Sequence, residues 1–123
     1  MSNGETNYID TAMLDNLSQF LSPEKLQALM KRYIDDSTRI LEQLTESLAS
    51  DNAKESHRHF HSLKSTSANV GATQLSTLSG ELEELARQNQ LDDIKPRVAE
   101  LNQIFQATSA NIAQLEIMQQ KMG

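Results

Sequence analysis

The sequence predicts an all-α protein: an antiparallel up-down-up-down four-helix bundle with a short additional N-terminal helix. Its 123 residues are rich in Leu, Ile, Ala and Met, which suit helices, and only 4% are aromatic. Apolar positions recur at steps of three and four residues, which is the spacing of an amphipathic helix. Because the connections between these stretches are short, successive long helices must lie antiparallel to one another.

The first part of the chain predicts a tail followed by a short helix. Residues 1–7 are polar and turn-forming, which predicts a disordered tail, and residues 8–123 then form a single bundle domain. The helical pattern begins at Tyr8 and should stop near Leu21. Its apolar stripe consists of Ile9, Ala12, Met13, Leu17 and Phe20.

The second helix has a clear start signal. Ser22 is suited to the N-cap, Pro23 to the first helical position and Glu24 to the positive end of the helix dipole. One stripe then continues for about seven turns, until SDN at 50–52 ends the helix. The stripe consists of Leu26, Leu29, Met30, Tyr33, Ile34, Ser37, Ile40, Leu41, Leu44 and Leu48.

Three further helices complete the bundle. The third runs from about Ala53 towards Val70 and ends at Gly71, and the fourth runs from Thr73 to the polar QNQ at 88–90. In the fifth, Asp92 or Asp93 is the expected N-cap and Pro96 is tolerated in the first turn. The fourth stripe is Leu75, Leu78, Leu82, Leu85 and Ala86, and the fifth is Val98, Leu101, Ile104, Phe105, Ile112 and Leu115.

Composition and charge narrow the possible functions. A net charge of -6 disfavours a broad attraction to nucleic acid or anionic lipid. The absence of cysteine excludes disulfides, thiolate nucleophiles and cysteine zinc sites. The sequence contains neither a signal peptide nor an apolar stretch as long as a membrane span. We therefore expect a cytoplasmic protein that binds a protein partner or a small ligand, with no nucleic acid and no membrane involved.

All three histidines lie on the third helix, and His61 occupies its outward side. On a helical wheel the opposite face belongs in the core and consists of Phe60, Leu63, Ser67 and Val70, with Ser56 and His59 beside it. The surface around His61 combines small side chains with a local excess of basic ones. It consists of His57, Arg58, Lys64, Ser65 and Ala68.

Three interpretations of His61 compete. It could be an ordinary solvated side chain. It could bind a metal ion together with His57, four residues earlier, but Arg58 stands where a metalloprotease helix needs glutamate, and Arg58 and Lys64 oppose a cation. No metal site is therefore expected. It could also accept a phosphoryl group, because neutral imidazole is a good nucleophile and Lys64 lies within one turn to pair with phosphoryl oxygens.

The stretch HSLKSTSANVGA at 61–72, followed by LSGELEELAR at 78–87, resembles the signature of histidine phosphotransfer (HPt) domains. That signature is a histidine, an apolar residue and a lysine, a run of small residues to a glycine ten positions after the histidine, and a later L-E pair. Gly71 is ten positions after His61. The resemblance covers most of the chain and implies the same four-helix bundle.

The resemblance implies a role for each matching residue. His61 matches the phosphorylated histidine and Lys64 the lysine that stabilises its phosphoryl group. Glu83 falls where family members place a group that bonds the histidine Nδ1 and leaves Nε2 free. Gly71 matches a glycine needed for close backbone approach, and Arg87 a basic position of the fourth helix.

One position departs from the family pattern. Ser65 stands where the family usually has glycine after the lysine. Ser65 and Ala68 are small and leave room for a receiver domain, but the Ser65 hydroxymethyl group would either narrow that approach or add a hydrogen bond to the phosphate. His57 and His59 match no functional position. We expect His59 to be half-buried and His57 to lie on the surface, where it tunes charge.

The resemblance implies a relay of phosphoryl groups between aspartates of receiver domains, one in a hybrid sensor histidine kinase and one in a response regulator. The chain itself would bind no cofactor and no ATP, and the receiver would supply Mg²⁺. Two alternatives stay open. The phosphorylated dimerisation domain of a sensor kinase is similar, but it has an acidic residue and a proline where Ser62 and Thr66 stand. A plain helical interaction module would leave His61 without a role.

Overall fold

Four long antiparallel helices form the bundle in the computed structural model, which describes residues 8–120. The tail predicted for residues 1–7 lies outside the described residues, and within them the chain contains no strand. None of the described helices has the length and apolarity needed to cross a membrane. In chain order the elements are α1 (Thr11–Ser18), α2 (Pro23–Ala49), α3 (Ala53–Asn69), α4 (Thr73–Arg87), α5 (Leu91–Ile94), a 3-10 turn (Lys95–Arg97), α6 (Val98–Ala113) and α7 (Glu116–Gln119).

Polar side chains cap the starts of α2 and α3. The Ser22 hydroxyl accepts a hydrogen bond from the backbone N–H of Lys25 at 3.2 Å, with Pro23 in the first position, as predicted. The Asn52 side chain accepts from the N–H of Glu55 at 3.0 Å. Each bond satisfies a backbone donor that has no partner within its own helix.

A residue with a positive φ follows each of α2, α3 and α4. These residues are Asp51 (φ 54°), Gly71 (φ 78°) and Asn89 (φ 59°). In each case the next backbone N–H reaches back to a carbonyl in the last helical turn, a Schellman arrangement. The three bonds, each 2.8 Å long, run from Asn52 to Ser47, from Ala72 to Ser67 and from Gln90 to Leu85.

Two buried hydroxyl pairs join α2 to α3 within an otherwise apolar core. The Tyr33 hydroxyl lies 2.8 Å from Ser67 Oγ, and Ser47 Oγ lies 2.8 Å from Ser56 Oγ. Burial raises the pKa of Tyr33, while its hydrogen bond with Ser67 opposes that rise. Because a buried hydroxyl without a partner is costly, these pairs favour one register of α3 along α2.

The stripe predicted for the N-terminal helix is wrong in part. The Asp10 side chain accepts from the N–H of Ala12, so α1 begins at Thr11 and ends at Ser18, before Leu21. Leu14 is its buried residue, although the predicted stripe omitted it, and Ala12 is exposed. Phe20 follows the helix in the connection to α2, and its side chain is 83% exposed.

The single fifth helix predicted from the sequence is also wrong. Asp92 and Asp93 cap no helix with their side chains and instead lie inside the short α5. Pro96 has no N–H and cannot continue the α-helical bonding, and it lies in a 3-10 turn, after which α6 begins at Val98. The apolar stripe of α6 nevertheless faces the core, with Leu101, Phe105 and Ile112 buried.

The segment before α1 is attached to the ends of α3 and α6. The backbone N–H groups of Tyr8 and Ile9 donate to the Asn111 side chain at 3.0 and 3.1 Å. The N–H of Asp10 donates to the carbonyl of Gly71 at 2.8 Å. A Cβ on Gly71 would come within 3.2 Å of Met13 Cβ and 3.3 Å of the Asp10 carbonyl oxygen. The close approach at Gly71 is therefore to the protein's own N-terminal segment.

We predict that Gly71→Ala destabilises the fold by about 2 kcal/mol or more, because it combines a positive φ with these close contacts. Asn89→Ala is the matched control, since Asn89 has a similar φ but is exposed. It should cost at most about 1 kcal/mol, because asparagine already carries a Cβ in this conformation. Urea denaturation measures both values, and equal losses would contradict the contact at Gly71.

Candidate functional site

His61 lies on the outward face of α3, the helix that packs most extensively against α4. Phe60 and Leu63, on either side of it in the sequence, are fully buried and hold α3 against the core. The His61 side chain is 60% exposed. The structure therefore presents an imidazole to solvent on a helix whose opposite face is fixed.

The His61 ring is held by a carboxylate from the neighbouring helix. Its Nδ1 lies 2.7 Å from Oε2 of Glu83 on α4. An ionised carboxylate only accepts hydrogen bonds, so this contact places the proton on Nδ1. In the neutral ring Nε2 then carries the free lone pair, which is the arrangement that nucleophilic attack through Nε2 requires.

Lys64 contacts the other oxygen of the same carboxylate. Its Nζ lies 2.9 Å from Glu83 Oε1, and its aliphatic stem runs beside Gly80 of α4. The Glu83 side chain is only 14% exposed, so both of its oxygens have donors in a partly desolvated position. The structure thus joins His61, Lys64 and Glu83 into one group that connects α3 to α4.

The charge state of Glu83 follows from these contacts. Burial pushes the pKa of the carboxyl up, but the hydrogen bonds and charges of Lys64 and His61 more than offset burial, so the pKa lies below its usual value of 4.5. The carboxylate is therefore ionised at neutral pH and available to accept the Nδ1 proton.

Sequence reasoning missed a second histidine at this carboxylate. Nε2 of His57 lies 3.6 Å from Glu83 Oε2, the oxygen that His61 also contacts. The four-residue spacing from His57 to His61 was the available signal, but it pointed only to a metal site. In the structure the two rings share a carboxylate, and no group of metal ligands of three or more occurs in residues 8–120.

The locally basic surface predicted around His61 is largely neutralised. Arg58 forms an ion pair with Glu55 one turn earlier, and Lys64 pairs with Glu83. The sequence predicted the cations correctly, but the carboxylate that neutralises Lys64 comes from another helix. The surface around His61 is therefore polar and mixed in charge.

The other predicted site residues fall into two places. Ser65 and Ala68 are exposed on α3, one and two turns after His61. Arg87 is exposed on α4, one turn after Glu83, and forms an ion pair with Glu84. Gly71 is buried at the end of α3 and belongs to the helix end, apart from the exposed face around His61.

His59 is half-buried, as expected. Its side chain is 13% exposed, and Nε2 lies 3.8 Å from Glu55 Oε2. Burial lowers its pKa, with the charge of Arg58 acting in the same direction, so the ring stays neutral more readily than a free histidine. Its ion-pair partner, Glu55, lies outside the group formed by His61, Lys64 and Glu83.

Comparisons with known proteins identify relatives of this fold and site. The family model described as "Hpt domain" matches residues 28–111, more than half of the chain. The chain is similar to the crystal structure of histidine-containing phosphotransfer protein B (HptB) from Pseudomonas aeruginosa PAO1. The identity is 25% and the TM-score 0.87, over 95% of this chain and 100% of that chain. No curated protein sequence matches the chain.

We predict that Glu83→Gln removes a pH-dependent part of the stability. Because the pKa of Glu83 is lowered by folding, its carboxylate stabilises the fold at neutral pH, and this contribution is lost as the pH falls below 4.5 through the folded pKa. The difference in unfolding free energy between wild type and variant should be constant down to about pH 5.5 and then shrink. Urea denaturation at several pH values measures it.

Glu42→Gln, at an exposed position of α2, is the matched control and should change the stability far less at any pH. If the difference for Glu83→Gln stayed constant to pH 3, Lys64 and His61 would not hold this carboxylate.

Proposed function

The chain belongs to the Hpt domain family and has a histidine phosphotransfer role in a phosphorelay, and from that premise we propose that His61 is the residue that carries the phosphoryl group. The single observation that carries the proposal is the 2.7 Å contact between His61 Nδ1 and Glu83. It leaves Nε2 as the free nucleophile on a ring that is 60% exposed.

In the proposed transfer step, the site supplies the nucleophile and the receiver supplies the phosphoryl group. Nε2 attacks the phosphorus of an aspartyl phosphate on a receiver domain, the N–P bond forms, and the P–O bond to the aspartate breaks and releases its carboxylate. The Nδ1 proton stays on the ring, where the Glu83 carboxylate offsets the positive charge that develops. The receiver would supply the Mg²⁺ that neutralises the phosphoryl oxygens, and Lys64 is the cation that this site contributes.

Lys64 is the proposed phosphoryl-stabilising residue. Its ammonium lies 2.9 Å from one oxygen of the carboxylate whose other oxygen contacts His61, so a rotation of the side chain would turn it towards phosphoryl oxygens on Nε2. A charge-assisted hydrogen bond of this kind holds a phosphoryl group without a change of the backbone. Glu83 thus serves both partners: it orients the histidine and holds the lysine until the phosphoryl group arrives.

The exposed position of His61 also supports the type of partner. Hpt domains interact with receiver domains in phosphorelays. We assign two receivers to this chain, one in a hybrid sensor histidine kinase and one in a response regulator, because an exposed ring on a helix face admits the active site of either in turn. Ser65 and Ala68 keep that face open, and Arg87 lies at its α4 side. A monomer suffices, since one chain supplies the whole group.

Members of this family are intermediates in phosphotransfer and not kinases. We extend this to the chain itself and assign it no ATP-dependent kinase activity.

We predict that a phosphorylated receiver domain labels this protein on His61. The adduct should be labile in acid and stable in base, because phosphohistidine is a phosphoramidate. His61→Gln should abolish the label, since glutamine has no nucleophilic ring nitrogen. Labelling with radioactive phosphate and denaturing electrophoresis measure it.

Two controls accompany this measurement. His57→Gln and His59→Gln should retain the label, because neither ring has its Nε2 free beside Lys64. Incubation with ATP and Mg²⁺ alone should leave the protein unlabelled. Full labelling of His61→Gln would overturn the assignment of the histidine, and self-labelling from ATP would identify a kinase.

We predict that Ser65→Gln slows transfer from the receiver by roughly tenfold or more, because a long side chain one turn from His61 obstructs the docking face. Ser65→Gly should keep transfer at or above the wild-type rate, at a helix cost of about 1 kcal/mol or less. Thr45→Gln, on the exposed side of α2, is a control for the added bulk. Normal melting together with normal transfer in Ser65→Gln would show that receivers dock elsewhere.

A further inference from the structure

Gly80 occupies an unusual place for a glycine. It lies inside α4, seven residues after the helix begins and seven before it ends, where glycine is a poor helix former. Its backbone has an ordinary helical conformation, so no positive φ requires a glycine there. The reason for glycine at this position must therefore be the space that it leaves.

That space is filled by the stem of Lys64. A Cβ built on Gly80 would lie 3.1 Å from Cδ of Lys64 and 3.9 Å from its Cγ. The first distance is shorter than nine in ten real contacts of a Cβ, so a side chain at position 80 would shift the lysine stem by a few tenths of an ångström. Only a glycine lets the methylene groups of Lys64 lie directly on the α4 backbone.

Two other residues of α4 hold the same lysine. The Ser76 hydroxyl donates to the backbone carbonyl of Lys64 at 3.0 Å, and Glu83 Oε1 lies 2.9 Å from Nζ. Ser76, Gly80 and Glu83 follow one another at spacings of four and three residues, so they form a single stripe along α4. This stripe contacts Lys64 at its backbone, at its stem and at its ammonium group.

We propose that Gly80 is a positioning residue of the transfer site, which lays Lys64 along α4 so that its ammonium group is held at Glu83 until the phosphoryl group arrives on His61. The proposal rests on the phosphotransfer function proposed for His61 and deepens it. Gly80 touches neither the ring nor a phosphoryl group, so it acts only through Lys64.

The variant Gly80→Ala distinguishes the positioning of Lys64 from a role of Gly80 in folding. The atoms that a Cβ meets belong to a flexible side chain, so the helix accommodates alanine by moving the stem of Lys64. Alanine is also the better helix former, and the melting temperature of Gly80→Ala should stay level or rise by about 2–6 °C. That shift should weaken the contact of the ammonium group with Glu83, and transfer from a phosphorylated receiver should slow by up to about fivefold.

A double-mutant cycle tests whether the effect passes through Lys64. The rate of transfer from a phosphorylated receiver is measured for wild type, Gly80→Ala, Lys64→Ala and the double variant, below all melting temperatures. Gly80→Ala should slow transfer in the wild-type background and have no effect once Lys64 is alanine. Thr77→Ala, at an exposed position of α4, is the matched control for helix propensity and should transfer at the wild-type rate.

A second readout does not depend on transfer. NMR titration of the Glu83 carboxyl in the unphosphorylated protein should show its pKa rising towards the usual value in Gly80→Ala, because Lys64 no longer holds it down, and unchanged in Thr77→Ala. If His61 is never labelled, the proposed function fails, and this titration still decides whether Gly80 positions Lys64. An unchanged titration in Gly80→Ala, or an equal loss of transfer with and without Lys64, would overturn the proposal.

Discussion

The contact of one Glu83 carboxylate with both His61 and Lys64 is the interaction on which the site depends. It joins the exposed face of α3 to α4, and it satisfies a side chain that is only 14% exposed. A carboxylate in that position is costly unless it is paired, so the two donors and the acceptor stabilise one another. The contact also sets the tautomer of the histidine, because an ionised carboxylate accepts only from a protonated Nδ1.

This contact needs a close and fixed approach of the two helices. The Ser76 hydroxyl bonds the backbone of Lys64, and Gly80 leaves room for the lysine stem. On the opposite side of α3, buried hydroxyl pairs with α2 oppose a slip along the bundle axis. The exposed group around His61 therefore depends on buried contacts on both sides of α3. Small residues at these contacts let the neighbouring helices approach closely.

The exposure of His61 suits transfer between proteins. The ring lies on an open helix face, where the receiver domain of the proposed function can reach it. Ion pairs neutralise most of the cations near His61, so the site does not rely on a strong local positive charge for attraction. On the proposed function, shape and the preformed group around His61 therefore matter more for transfer than long-range electrostatic steering.

The sequence by itself determined the helices whose signals are local. Ser22 and Pro23 start α2, Gly71 ends α3, and the apolar stripes of α2 and α3 identify their buried faces, because capping and periodicity act within a few residues. Predictions from local signals were wrong in two places. Pro96 divided the predicted last helix, and the early end of α1 left Phe20 outside it and exposed.

The features of the site also divide into those that local sequence signals identify and those that only the packing of helices brings together. His61 and Lys64 were recognisable from their spacing on one helix, and Glu83 only through the resemblance to HPt domains. The pairing of both Glu83 oxygens, the approach of His57 to one of them and the contact of Gly80 with the lysine stem are distances between α3 and α4. Only the tertiary structure decided them, because the relative rotation and separation of two helices depend on how their small residues pack, which no single periodicity encodes.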